Sequence, residues 1–266
     1  MIPTKTKKSI IRTFKMKHYW NTLIAEFMKL RRTLAFWCIL IGPTTVTFLY
    51  YASLFSREPG TLGAKYNAWQ VALDNGMGLW AMLFMPLYVA LQATLVAQLE
   101  HGNQQWKYLY ALPVPRFAYF AAKWSVVTLV LLITNLLLTV EMVAGGLLTE
   151  WLKPGWGFNV AIPWGGFAAG FAGITAAALL LLSIHLLVSL WWRSFIPSLG
   201  LGLVAAMSNI FIAPSDQFHR FDPWLMPGMA LRGEGSDPQI GLIAGVTLGL
   251  LLALVGGWFF IRKPTA

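Results

Sequence analysis

The chain has 266 residues, 57% of them hydrophobic and only 11% charged, with a net charge of +10. Soluble domains carry about 25% charged residues and need a wettable exterior, so a water-soluble globule is excluded and an integral membrane protein is indicated. The apolar runs are long and lack strand alternation, so an all-α membrane fold is expected, since only helices and closed barrels satisfy their backbone in lipid.

The first 33 residues form a basic lead. Lys5, Lys7, Lys8, Arg12, Lys15, Lys17, Lys29, Arg31 and Arg32 supply nine of the 20 Lys and Arg. Gathered ahead of an apolar run, they read as membrane-flanking charge and not as a nucleic-acid surface. The lead is long and the run after it can span, so a retained helix is expected instead of a cleaved signal peptide. From Lys15 to Thr33 the pattern is helical. Trp20, Leu23, Ile24 and Phe27 share one face, and His18, Thr22, Glu26 and Lys29 share another. This predicts an amphipathic helix in the inner membrane interface, with Lys29, Arg31 and Arg32 toward anionic headgroups.

Six spans follow, each near the roughly 20 residues a bilayer requires. They are placed at 34–54, 76–97, 120–148, 164–190, 195–212 and 240–261. The fifth carries Pro197 near its start, where proline is tolerated in a first turn. With the N-terminus inside, the cytoplasmic segments hold 15 Lys and Arg and the outer segments five, so both termini are expected in the cytoplasm. Trp37, Trp124, Trp191, Trp192 and Trp258 fall near inner ends, and Trp80, Trp151, Trp156 and Trp164 near outer ends, as indole anchors at the headgroups. The single cysteine, Cys38, lies in the first span and reads as a small buried hydrophobe.

Between the second and third spans lies a polar stretch, Glu100 to Arg116. Trp106, Leu109, Tyr110 and Pro113 line one side of a predicted short helix. Leu112 precedes Pro113 and is biased away from helix, while Pro115 permits a new helix start, so a rigid corner is expected before the third span. The outer connection, 214–239, contains Pro223–Trp224–Leu225–Met226–Pro227, which predicts a short interfacial re-entry and not a full span.

Chemistry-bearing motifs are scarce. No phosphate-binding glycine loop with Gly-Lys-Ser/Thr occurs, and no serine-nucleophile motif. His18, His101, His185 and His219 lack the spacing of metal ligands on one helix. Gln92, Asn135, Glu141 and His185 are the polar residues at membrane depth, and so are candidate functional residues. Interfacial placement suits Glu141 and His185, and helix–helix hydrogen bonds suit Gln92 and Asn135. Gly241, Gly245 and Gly249 form a small-residue row for close packing, within the bundle or between protomers.

These residues resemble a known family. Glu26-x-x-Lys29-x-Arg31-Arg32-Thr33, then Glu100-x-Gly102-x-x-x-Trp106-Lys107, then Leu112-Pro113-Val114-x-Arg116 with Lys123, look like the permease subunits of type-2 ABC exporters. The likeness is greatest to permeases of lantibiotic immunity and bacitracin resistance. The resemblance implies an entry helix at Glu26, Lys29, Arg31 and Arg32, leading into a six-helix permease domain over 34–266. It also implies that Glu100, Gly102, Trp106, Lys107, Leu112, Pro113 and Arg116 form a cytoplasmic coupling segment that docks on a separate ABC ATPase. ATP and magnesium would be bound by that partner, with no cofactor on this chain. Two permeases, identical or homologous, and two ATPases would export an amphipathic peptide, drug or lipid-like substrate across the cell membrane. The other readings the residues allow are a membrane assembly subunit without transport and a lipid-modifying membrane enzyme. The Lys-rich residues 1–18 depart from the family pattern.

Overall fold

The computed structural model describes residues 18–59, 67–101, 114–215, 219–231 and 238–262, and among these all regular structure is helical. Helix α1 covers 18–30 and turns sharply through Arg31–Thr33, where Arg32 holds a φ of 140°. Then come α2 (Leu34–Phe55), α3 (Ala68–His101), α4 (Arg116–Leu152), α5 (Trp164–Trp191) and α6 (Ile196–Ile212). The short α7 (Met226–Met229) precedes α8 (Pro238–Arg262).

Five helices, α2, α3, α4, α5 and α8, are long and apolar enough to cross a membrane, and α6 is a shorter apolar helix of 17 residues. The apolar runs extend further than hydropathy alone suggests. The second, expected at 76–97, runs from Ala68 to His101, and the third, expected at 120–148, runs from Arg116 to Leu152. The one cation inside the third run, Lys123, packs against neighbours and is fully buried.

The helices run back and forth along one bundle. At one end, Glu26, Glu100 and Lys123 meet, and Gln98 Nε2 donates to the Arg193 carbonyl at 2.8 Å. At the opposite end, Lys153 Nζ donates to the Arg57 carbonyl at 2.7 Å. α2 lies along α4, α3 along α5 and α6, and α8 along α5. Trp69, Met77, Trp80, Leu138, Met142, Phe158 and Ile174 fill the interior. Lipid is as apolar as these side chains, so their packing and the hydrogen bonds between helices hold the bundle together.

α3 contains two π-helical stretches, Ala72–Met77 and Trp80–Phe84. Widened turns of this kind redirect side chains within a helix. Here Trp80 is fully buried and its indole donates to Asn135 Oδ1 at 2.9 Å. Trp80 and Trp156 were expected to anchor the membrane surface, yet both are buried, because each indole packs inward against the bundle.

The glycine row of α8 faces the bundle's own helices. A Cβ on Gly245 would lie 2.5 Å from Ala177 Cα, and one on Gly249 would lie 2.7 Å from the Leu180 backbone nitrogen. Gly241 meets the carbonyl of Met226 in the same way, at 2.8 Å. The row therefore allows backbone-to-backbone approach of α8 to α5 and α7.

Candidate functional site

α1 is oriented opposite to a simple surface helix. Trp20, Ile24, Phe27 and Met28 point outward and are exposed, while Thr22, Glu26 and Leu30 are buried against the bundle. The apolar stripe is thus free to face lipid, and the polar stripe is the packed one. Tyr19 Oη, 2.8 Å from Ser125 Oγ, ties the helix to α4.

The reason is a closed ring of four charges. Lys29 Nζ lies 2.5 Å from Glu26 Oε1 and 2.9 Å from Glu100 Oε1. Lys123 Nζ lies 2.7 Å from Glu26 Oε2 and 2.6 Å from Glu100 Oε2. Every carboxylate oxygen meets an ammonium, and the two signs alternate around the ring. Glu26, Glu100 and Lys123 are buried, and the Lys29 side chain is 30% exposed. A buried charge is tolerable only when paired in this manner, and the ring is neutral as a whole.

Burial by itself would push the Glu26 carboxyl up, but the ammoniums of Lys123 and Lys29 outweigh it and hold the group below the usual carboxylate range. Burial would likewise pull the Lys29 ammonium down, and the carboxylates of Glu26 and Glu100 outweigh it and raise it. Both shifts favour the charged forms that close the ring.

The ring brings together two parts of the sequence that were read separately, Glu26 and Lys29 of the entry helix and Glu100 of the coupling segment. It corrects two expectations. Lys29 does not reach outward to headgroups, because its ammonium lies between two carboxylates. Glu100, expected on the coupling segment, has its side chain turned into the bundle and fully buried on α3. Arg31 and Arg32 are exposed in the turn after α1, and Arg116 is the half-buried first residue of α4. Gly102, Trp106, Lys107, Leu112 and Pro113, with the short helix expected there, lie outside the described residues, as does the basic lead through Lys17. Lys123, named above only as part of the family resemblance, completes the ring. Its signal was its position, a lone cation some two turns into an apolar helix.

The polar residues expected at membrane depth hold hydrogen bonds of their own. Gln92 Nε2 donates to the Ala35 carbonyl at 3.0 Å and to Tyr88 Oη at 2.9 Å, and Tyr88 Oη is 2.6 Å from Thr134 Oγ1. Asn135 accepts from Trp80 and donates from Nδ2 to Thr175 Oγ1 at 3.0 Å, joining α3, α4 and α5. Both residues make the interhelical hydrogen bonds expected of them.

His185 is fully buried on α5, and Trp224 Nε1 lies 3.1 Å from its Nε2. An indole N–H only donates, so Nε2 accepts and the neutral ring carries its proton on Nδ1, 3.4 Å from Ser198 Oγ. The segment holding Trp224 is not superficial. Leu225, Met226 and Met229 are buried, Met226 packs with Ala177 and Leu180, and Gly228 meets Met82. The segment packs into the bundle, so His185 is a packing partner of Trp224.

Glu141 lies against α2. Thr44 Oγ1 donates to its Oε1 at 2.7 Å and Thr47 Oγ1 to its Oε2 at 3.3 Å, and both threonines lie near the middle of α2. Among the described residues, no three His, Cys, Asp or Glu side chains gather as a metal site.

The architecture is a helical membrane bundle with a charge ring at the connection between two of its longest helices. The family model for ABC-2 family transporter proteins matches residues 22–209. That stretch includes most of α1, the ring and α2 to α5, and reaches into α6. No curated protein and no solved structure matches the chain. Such permeases associate with an ATPase subunit and serve transport. The chain belongs to the ABC-2 family of transporter proteins, as a multi-pass membrane permease of an ABC transporter.

Proposed function

We propose that the chain is the permease of an ATP-driven exporter in the cell membrane. It has six spans, with α6 as the fifth, and both termini are cytoplasmic. The connection between Glu100 and Arg116 docks on the ATPase through Trp106 and its neighbours, with Glu100 holding its base from inside. Two permeases work with two ATPases, and the cargo is an amphipathic peptide, drug or lipid-like molecule. The resemblance to lantibiotic-immunity and bacitracin-resistance permeases supports that class of cargo.

The observation that carries this reading is the Glu26–Lys29–Glu100–Lys123 ring. It joins α1, the last turn of α3 and the early turns of α4 on both sides of the connection. Pulling buried ion pairs apart is costly, so a push on the connection moves the three helices as one body. α4 is a single helix of 37 residues and carries that movement along the whole bundle. The moving part is therefore held from inside by the ring, while the partner contact is made by the residues between.

The test is reconstitution with the partner ATPase in proteoliposomes. Trp106→Ala, and separately the double variant Glu100→Met with Lys123→Met, are expected to keep ATP hydrolysis while export falls. Wild-type export by both variants would overturn the reading. Glu100→Arg is a poor probe, since it sets a third cation against Lys29 and Lys123.

A further inference from the structure

Glu141 is a half-buried carboxylate at the outward surface of two spanning helices. Thr44, one of its two donors, is the eleventh residue of the 22-residue α2, so it stands at mid-helix, about 15 Å from either end. Thr44 is exposed and Glu141 partly so. Around them the surface is apolar. Ile41 and Phe48 stand one turn either side of Thr44, and Ala144 and Leu148 follow Glu141 at helical spacing, all four exposed. Among the described residues no Lys, Arg or His pairs with Glu141.

A carboxylate has about four acceptor positions, and two hydroxyl donors leave the others open. Ionisable groups at this depth are expensive and mark sites of function. Glu141 is partly exposed, so the open positions can be reached from the membrane plane. What suits them is a cation on an apolar body, because the surrounding surface has no water and no counter-charge to offer.

We propose that Glu141, Thr44 and Thr47 form an intramembrane binding site for a lipophilic amine. The ammonium seats on the Glu141 carboxylate, and Thr44 and Thr47 hold that carboxylate toward it. The hydrocarbon lies over Phe48 on α2 and Leu148 on α4. The site is on the α2–α4 face, away from the charge ring. It rests on α2 and α4 crossing the bilayer and not on ATP coupling, so the failure of either reading leaves the other standing.

The test uses the full chain in phosphatidylcholine nanodiscs with two photoreactive probes, a long-chain primary amine bearing a diazirine and its alcohol counterpart. Adducts are mapped by mass spectrometry. The amine is expected to label α2 and α4 near residues 41–48 and 141–148, and Glu141→Gln to reduce that labelling at least about tenfold, as loss of one charge-assisted contact would. Glu141→Asp should retain part of it, and labelling elsewhere on the chain should stay unchanged, which reports a folded variant. Equal labelling of wild type and Glu141→Gln overturns the proposal. So does equal labelling of this face by the alcohol, which would mean that a neutral carboxyl faces lipid. A loss of self-association in Glu141→Gln with labelling unchanged also overturns it, in favour of a second copy covering the face.

Discussion

Lys123 and Glu100 stand 2.6 Å apart on opposite sides of the connection between α3 and α4, both fully shielded from solvent. They are 23 residues apart in the chain, and this contact closes that stretch into a loop anchored at its base. Lys123→Met alone leaves the Glu26 and Glu100 carboxylates to share Lys29. It is expected to destabilise the protein by about 3–5 kcal/mol, because a buried charge loses its partner. The double variant Glu100→Met with Lys123→Met removes one charge of each sign and leaves Glu26 paired with Lys29. It should unfold within about 1 kcal/mol of wild type, since apolar replacement of a buried pair is often neutral. Thermal unfolding in nanodiscs compares the two.

The ring also sets a pH window. The Glu26 carboxyl is held below its ordinary range, so its stabilisation is complete above that range and is lost as pH falls through the lowered value. The Lys29 ammonium is raised, so its contribution is complete below the ordinary lysine range and is lost as pH rises through the raised value. Unfolding midpoints should be flat between these limits and fall at both extremes. Glu26→Gln should flatten the acid limb, and Lys29→Met the alkaline limb, in a pH series of melting curves.

α8 meets α5 through glycine. Gly245→Ala would push a methyl group to 2.5 Å from the Ala177 backbone, which cannot give way as a side chain can. The expected loss is about 1–3 kcal/mol from overpacking. Gly200 on α6 has nothing within 4 Å of an added Cβ, so Gly200→Ala should be neutral or gain up to about 1 kcal/mol from helix propensity. The pair of melting temperatures distinguishes close approach from a general intolerance of substitution.

Trp224 joins the segment ahead of α7 to α5 through His185. Trp224→Phe keeps an aromatic ring and removes the donor, leaving Nε2 of a buried histidine unpaired. A loss of about 1–3 kcal/mol is expected. Trp224→Ala should cost more, because it adds a cavity. In the wild type, ¹⁵N chemical shifts should show His185 as the neutral tautomer with its proton on Nδ1.

Much was legible from pattern alone. Apolar runs of span length, separated by turn residues, located the helices, because a backbone in lipid has one local solution and composition reveals it. The period of Trp20, Ile24 and Phe27 marked α1 and its lipid-ready stripe. Proline on both sides of Trp224 marked a segment too short and interrupted to be a long helix. Boundaries were less legible. The third helix begins at Arg116, ahead of the apolar run, since hydropathy scores a charge identically whether or not it packs against the bundle. The tryptophans divided in the same way, with Trp151 exposed and Trp80 buried on Asn135.

The sequence by itself determined the helical membrane class, the approximate position of each apolar helix and the family pattern of charged residues. Composition and periodicity are local properties, and the bilayer makes local hydrophobicity decisive. Only the tertiary structure decided which charges met. Glu26, Lys29, Glu100 and Lys123 lie on three helices, and no spacing in one chain tells that their side chains converge. The same holds for Thr44 and Thr47 against Glu141, for Trp224 against His185, and for the glycines of α8 against the backbone of α5. These contacts join residues remote in sequence, and the packing geometry of the bundle alone brings them within bonding distance.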